Sequence, residues 1–140
     1  DNIMVNSLGE VTLVDYDGMY VPSLKGMSAP ENGHDHFQHP KRTTATYSER
    51  LDNFSVLVTY LSLLAVASDP TMWENYNRRD QDCLLFRKSD FLTPDRSPLI
   101  SDLLSRKGRI RKLTKLLLES LQHDPLWDGI DPEKLSKIQR

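Results

Sequence analysis

The longest nearly uncharged stretch of the chain covers residues 51–67, and its apolar side chains leave no consistent polar side when the segment is wrapped as a helix. A helix that is apolar all round is either buried in a core or inserted in a membrane. This stretch is shorter than the roughly 20 residues that cross a bilayer, and Thr59 and Ser62 interrupt it. We therefore predict a buried central helix over residues 51–67, with the other segments packed around it.

A charged residue, Asp52, lies at the start of this helix. A carboxylate beside a buried helix needs partners, because an unpaired buried charge is costly. At a helix N-terminus the carboxylate is favoured by the helix dipole and can accept backbone N–H bonds. We therefore expect the carboxylate of Asp52 to be hydrogen-bonded or paired.

Two short apolar segments at residues 3–5 and 11–14 are separated by an Asn/Ser/Gly turn, which predicts a β-hairpin. Asn2 precedes the first strand and Asp15 follows the second, so an antiparallel hairpin brings them to the same open end. An amide oxygen and a carboxylate suit Mg²⁺, which takes one or two protein groups and completes its shell with phosphate and water. The alternative is that Asn2 is a chain end and that Asp15 and Asp17 are ordinary turn residues.

The segment of residues 19–47 shows no sustained periodicity and contains several prolines and glycines, which predicts a long loop. Loops of this length inside compact domains are usually functional or disordered. The loop includes His34, His36 and His39, a cluster that could bind a metal. However, the spacing matches no standard zinc framework, and the chain has no second Cys/His cluster. The histidines therefore do not favour a metal site.

Capping residues followed by proline mark further helix starts in the second half of the chain. These dipeptides are Asp69-Pro70, Ser97-Pro98, Asp124-Pro125 and Asp131-Pro132. After the first of them we predict a short helix over residues 71–76, whose Trp73 packs on the core, and then a polar loop over residues 77–82. After Ser97 we predict a helix to about Arg106, which Gly108 ends.

Residues 109–122 have the pattern of an amphipathic helix, with one apolar stripe and one basic side. The stripe contains Ile110, Leu113, Leu117 and Leu121, and the basic side contains Arg109, Arg111, Lys112 and Lys115. A basic side could bind nucleic acid, but a solvated helix surface is the favoured interpretation. The net charge of −2 adds no global field that would draw nucleic acid or acidic membranes.

Composition bounds the class of protein. A chain of 140 residues suits one domain, and its single cysteine, Cys83, excludes an internal disulfide framework and fits a reducing, cytoplasmic compartment. The chain shows no signal-peptide pattern, and it begins without Met inside a predicted strand, so we expect a piece of a longer protein. The predicted fold is mainly α (α+β): one partial domain, 1–140, made of a hairpin (1–18), a loop (19–47) and a helical subdomain (48–140).

The order of these pieces resembles the C-terminal lobe of a protein kinase. Asn2-Ile3-Met4-Val5 resembles the end of the catalytic loop, and Val14-Asp15-Tyr16-Asp17-Gly18 resembles the magnesium-binding Asp-Phe-Gly motif with one residue inserted. The loop that follows resembles an activation segment, with Phe37-Gln38-His39-Pro40 where Ala-Pro-Glu is usual. Asp52-Asn53-Phe54-Ser55 resembles the start of the family's central helix.

The chain also departs from the family's pattern. Lys41 stands where the closing Glu is expected, which puts that family's Glu–Arg ion pair in doubt. The inserted Asp17 is similar to what small-molecule kinases of the aminoglycoside phosphotransferase type show. The motifs cover roughly residues 1–67, and beyond them only the helical character agrees.

The resemblance implies an ATP-dependent phosphotransferase, in which Asp15 holds a Mg²⁺ ion that bridges the nucleotide phosphates and Asn2 holds a second ion. Asp52 would anchor the catalytic loop. The catalytic base would lie five residues before Asn2, and the glycine-rich loop and the phosphate-binding Lys would lie in an N-terminal lobe. We therefore assign no catalytic residue within the chain and expect the chain alone to be inactive.

Alternative functions remain open at this point: a pseudokinase, a helical protein-interaction module, or a small-molecule kinase. In the complete protein the expected partners are a nucleotide and a protein or small-molecule substrate, with no nucleic acid and no membrane. The helices that precede the catalytic loop in the resembling fold are missing here. We therefore expect one flank of the central helix to be bare and apolar, and to promote self-association.

Overall fold

The computed structural model describes residues 2–138. An antiparallel hairpin of β1 (Ile3–Val5) and β2 (Val11–Leu13) opens this range. The α-helices that follow are α1 (Asn53–Ser68), α2 (Lys88–Leu92), α3 (Pro98–Ser105), α4 (Gly108–Ser120) and α5 (Pro132–Leu135). Short 3₁₀ turns occur at Pro22–Leu24, Asp35–Phe37 and Pro94–Arg96, and Trp73–Asn77 is π-helical. The prediction of a mainly helical chain with one short hairpin is confirmed.

Helix α1 is the centre of the helical cluster, as predicted, and packs against α4 and α5. One broad face of α1 lies in the core, and another face is exposed to solvent. The buried positions are Phe54, Leu57, Val58, Leu61, Ser62 and Ala65. Val56 and Leu63 are 39% and 56% exposed, so an apolar flank of α1 is bare. No helix within residues 2–138 is long and apolar enough to cross a membrane.

The predicted signals at Ser97-Pro98 and Gly108 set the starts of α3 and α4, and α4 packs against both α3 and α1. The Ser97 hydroxyl accepts a hydrogen bond from the backbone N–H of Ile100 at 3.1 Å, so the Ser-Pro dipeptide starts α3 as expected. Gly108 has a φ of +65°, which glycine adopts at little cost, and the chain turns there from α3 into α4. The predicted apolar stripe of α4 is buried along its length.

The segment after α1 is helical, as predicted, but its residues 73–77 are π-helical rather than α-helical. It forms a π-helical turn, in which residues five apart lie one above the other. Met72 and Asn77 are five apart and both fully buried, whereas Trp73 is 37% exposed. The prediction that Trp73 packs into the core is therefore wrong, because the wider turn directs its neighbour Met72 inward instead.

The long loop carries a small apolar cluster of its own, formed by Ala29, Tyr47 and Leu51. The ring of Tyr20 packs edge-on against that of Tyr47, with 5.2 Å between centroids. The Tyr47 hydroxyl donates to the Met19 carbonyl at 3.1 Å. These contacts hold both ends of the loop close to the start of α1.

Candidate functional site

The hairpin turn is built around Asn6. Its side-chain oxygen accepts hydrogen bonds from the backbone N–H groups of Leu8 and Glu10 at 2.9 and 3.0 Å. Gly9 closes the turn with a φ of +81°, a conformation that favours glycine. The turn therefore sets the register in which Ile3 faces Leu13 and Val5 faces Val11.

The opposite, open end of the hairpin carries the two predicted magnesium ligands. The backbone N–H of Val14 donates to the carbonyl of Asn2 at 3.0 Å, so the ladder reaches Asn2. Asp15 follows immediately, and its φ of +62° turns the chain out of the strand. Both Asn2 and Asp15 are exposed. The structure thus places the two residues at the same end of the ribbon, with Val14 rather than Asp15 as the direct ladder partner of Asn2.

The donor set at this end suits Mg²⁺ in its chemistry. Asn2 offers an amide oxygen and Asp15 a carboxylate, and a magnesium ion bound with a nucleotide needs only one or two protein ligands. No group of three or more His, Cys, Asp or Glu side chains in the described part of the chain is arranged to hold a metal ion. Any metal bound here would therefore rely on phosphate and water for most of its shell.

The third predicted residue, Asp52, does not lie in the interior. Its side chain is exposed and makes no capping hydrogen bond, in contrast to the expectation. Its backbone has φ −96° and ψ −1°, whereas a capping residue is normally extended, so its carboxylate is not held over the first helical N–H groups. Because the carboxylate stays in water, it is not a buried charge and needs no partner. The anchoring role of Asp52 stays a prediction.

The three loop histidines do not form one cluster, because the rings of His34 and His36 lie 6.3 Å apart whereas His39 is buried beside Phe54. His36 accepts the backbone N–H of Lys88 at its Nδ1 atom, at 3.1 Å. His39 is only 3% exposed and stacks edge-on against Phe54. Its Nε2–H donates to the Ser120 carbonyl at 3.1 Å, and its Nδ1 accepts the Lys41 N–H at 3.1 Å. Those two bonds require a neutral ring protonated at Nε2, and burial lowers the pKa of His39 accordingly.

A cavity of about 150 Å³ opens between the loop and the start of α2. Its walls are formed by Asn32, Asp35, Gln38, His39, Pro40, Arg42 and Lys88. The Lys88 ammonium lies 2.8 Å from the Asp35 carboxylate, and this contact lowers the pKa of Asp35. Arg42 donates one guanidinium N–H to the Gln38 side-chain oxygen. The cavity is therefore lined by polar and charged groups, with two cations and one carboxylate.

No pattern in the sequence indicates this cavity. Gln38 and Arg42 are four residues apart in an irregular loop, where that spacing has no structural meaning. Lys88 lies far along the chain and comes close only because the loop packs on α2. The one signal in the sequence is the density of polar residues around His39, a pattern that equally fits a metal cluster.

Comparisons with protein-family models, with curated proteins and with solved structures find no match for this chain.

Proposed function

We propose that this chain supplies the magnesium-binding residues and the helical scaffold of a kinase-like, ATP-dependent phosphotransferase. Asn2 and Asp15 would each bind a Mg²⁺ ion that neutralises nucleotide phosphate charge, and α1 with its neighbouring helices would be the scaffold. When bound, the ions supply electrostatic stabilisation of the transferred phosphoryl group. The chain itself would contribute oxygen ligands at the open end of the hairpin and would not transfer phosphate alone.

One observation carries the proposal: Asp15 has a left-handed backbone at the exact point where the ladder ends beside Asn2. A residue other than glycine with positive φ is uncommon, and such strain concentrates at functional sites. Aspartate tolerates this conformation better than most residues, so a turn alone could also select it. The position next to Asn2, and the order of motifs that follows, favour the functional interpretation.

The proposal is tested with Mn²⁺, a paramagnetic ion that replaces Mg²⁺ at oxygen sites. In the presence of ATP, Mn²⁺ should broaden the NMR signals of Asn2 and of residues 14–16 before those of other exposed segments. Asp15→Asn should remove the effect. Asp17→Asn is the matched control, because Asp17 is also exposed and lies only two residues away. Equal broadening in the two variants, or none in the unmodified chain, would contradict the proposal.

A helical interaction module is the second candidate, and the exposure of the hairpin favours it. Ile3, Met4, Val5, Val11 and Leu13 are all between 48% and 64% exposed, an unusual amount of apolar surface for a short ribbon. This candidate predicts no Mn²⁺ effect at Asp15 and no difference between the Asp15 and Asp17 variants. The same experiment therefore separates the two functions. A pseudokinase would bind the ion and nucleotide as the first candidate does, without transfer in the complete protein.

A further inference from the structure

Arg42 is the one Lys or Arg residue in the described part of the chain that has a buried side-chain nitrogen without a hydrogen-bond partner. Its guanidinium donates to Gln38, but its Nε–H is buried and has no hydrogen-bond partner. No described carboxylate lies within ion-pairing distance of it, although Asp52 and Glu31 act on it from further away. Burial lowers the pKa of Arg42, which reflects water lost from the guanidinium without a full replacement. Arg42 is thus a partly buried cation with no ion-pair partner among the described residues, and an anion bound beside it would offset part of the cost of its lost hydration.

The cavity beside Arg42 has the size and the lining to supply that ligand. Its volume of about 150 Å³ is enough for one small polyatomic ion or the end of one side chain, and too small for a nucleotide. Lys88 provides a second cation in the lining, and the amide groups of Asn32 and Gln38 provide neutral polar atoms. Guanidinium groups bind oxyanions through paired N–H donors, and Arg42 lines this cavity, so its guanidinium is the group expected to bind an anion there.

We propose that this cavity binds a single phosphate group, held by Arg42 and Lys88. Phosphate offers several acceptor oxygens, which allows it to meet the guanidinium and the ammonium together. The group can come from free phosphate or from the end of a phosphorylated side chain, since both present the same oxygens. The inference does not depend on the proposed magnesium site at Asn2 and Asp15, because it uses none of those residues.

Asp35 gives the proposal a distinctive consequence. Its carboxylate forms an ion pair with the Lys88 ammonium at 2.8 Å, and it repels an incoming anion. Phosphate must therefore compete with Asp35 for the ammonium. Replacing Asp35 by Asn removes the competitor and the repulsion together, so binding should become stronger. A purely structural role of the Asp35–Lys88 pair predicts no such gain.

The test is a titration with inorganic phosphate at constant ionic strength, with chloride as the reference salt. The NMR signal of the Arg42 Nε–H group should shift and saturate with phosphate and not with chloride. Arg42→Gln and Lys88→Ala should each weaken binding, by about tenfold or more for Arg42, and Asp35→Asn should strengthen it. Arg111→Gln and Lys115→Ala are matched controls on the exposed side of α4, and they should bind as the unmodified chain does.

A second titration with N-acetyl-phosphoserine amide distinguishes the two sources of phosphate. Binding of both probes with similar affinity supports a site for the free ion, and clearly tighter binding of phosphoserine supports a phosphorylated side chain. Lys88→Ala removes an exposed side chain, so it keeps the test valid if Arg42→Gln fails to fold. The proposal is overturned if neither probe moves the Arg42 signal, if chloride moves it equally, or if Lys88→Ala and Asp35→Asn bind phosphate as the unmodified chain does.

Discussion

The hairpin and the helical cluster use the same kinds of apolar residue with opposite results. In the cluster, Leu57, Leu61 and Leu113 are fully buried. In the hairpin, no strand residue is buried on either face. The cluster is held by side-chain packing, whereas the hairpin is held by its ladder and by the Asn6 turn. An isolated two-stranded ribbon is marginally stable in water.

This difference shows that apolar character indicates which residues gain from burial, and not whether the fold provides a surface to bury them. The helical segments bury theirs because several amphipathic faces meet around α1. The hairpin has no such neighbour among the described residues, so its apolar side chains stay in contact with water. Stability should therefore depend strongly on residues of the cluster and weakly on residues of the hairpin.

The sharpest test of this comparison uses one substitution at two leucines. Leu57→Ala removes a fully buried side chain of α1 and should lower the free energy of unfolding by about 2–5 kcal/mol. Leu8→Ala removes a side chain that is 82% exposed in the hairpin turn, and it should change the free energy of unfolding by no more than about 0.5 kcal/mol. Urea unfolding followed by circular dichroism measures both.

Leu63→Ala is the control within α1, because Leu63 is 56% exposed on the same helix. It should behave like Leu8→Ala, which would show that burial rather than helix membership decides the cost. A large loss of stability in the Leu8 variant would mean that the hairpin packs on something in solution, and the comparison would fail.

A smaller effect is expected at Asn77, where a polar side chain organises the cluster. Its amide nitrogen lies 2.8–2.9 Å from the carbonyls of Asp80, Cys83 and Leu84. Asn77→Ala leaves those carbonyls without this donor and should cost about 2–3 kcal/mol. Asn75→Ala, at an exposed position two residues earlier, should cost little. Similar unfolding midpoints for the two variants would show that the Asn77 bonds do not hold this loop.

The smallest expected effect is the pH dependence due to His39. Burial lowers its pKa below the ordinary value of 6.5, Lys41 adds to this, and the Ser120 carbonyl and Asp124 oppose it. Below pH 6.5 the unfolded chain therefore binds more protons than the folded chain. The stabilisation that comes from a neutral His39 ring is complete above pH 6.5, and it declines as the pH falls below 6.5. The carboxyl groups with lowered pKa, such as Asp69, lose their contribution only below 3.8.

Unfolding measured between about pH 7.5 and pH 5 isolates the histidine contribution. The unmodified chain should lose stability over this range, and His39→Gln should be less stable at neutral pH and show a flatter profile. An unchanged slope in the variant would assign the pH dependence to another group.

Much of the local structure was predictable because its causes are local. The turn chemistry around Asn6 and Gly9 predicted the hairpin, and Ser97-Pro98 predicted the start of α3. These signals act within a few residues of the chain and need no distant partner. Residues whose environment depends on distant contacts were not predictable in the same way. The burial of Asn77, the exposure of Trp73 and the exposure of Asp52 all follow from how segments meet.

The two candidate sites also differ in how far the sequence predicts them. The positions of Asn2 and Asp15 at one end of a ribbon follow from strand alternation and turn length, so the sequence by itself determined that they lie together. It could not determine the left-handed backbone of Asp15 or the cavity between Arg42 and Lys88. The cavity depends on the packing of the loop against α1 and α2, because only three-dimensional packing decides which charges lose water and which side chains become neighbours.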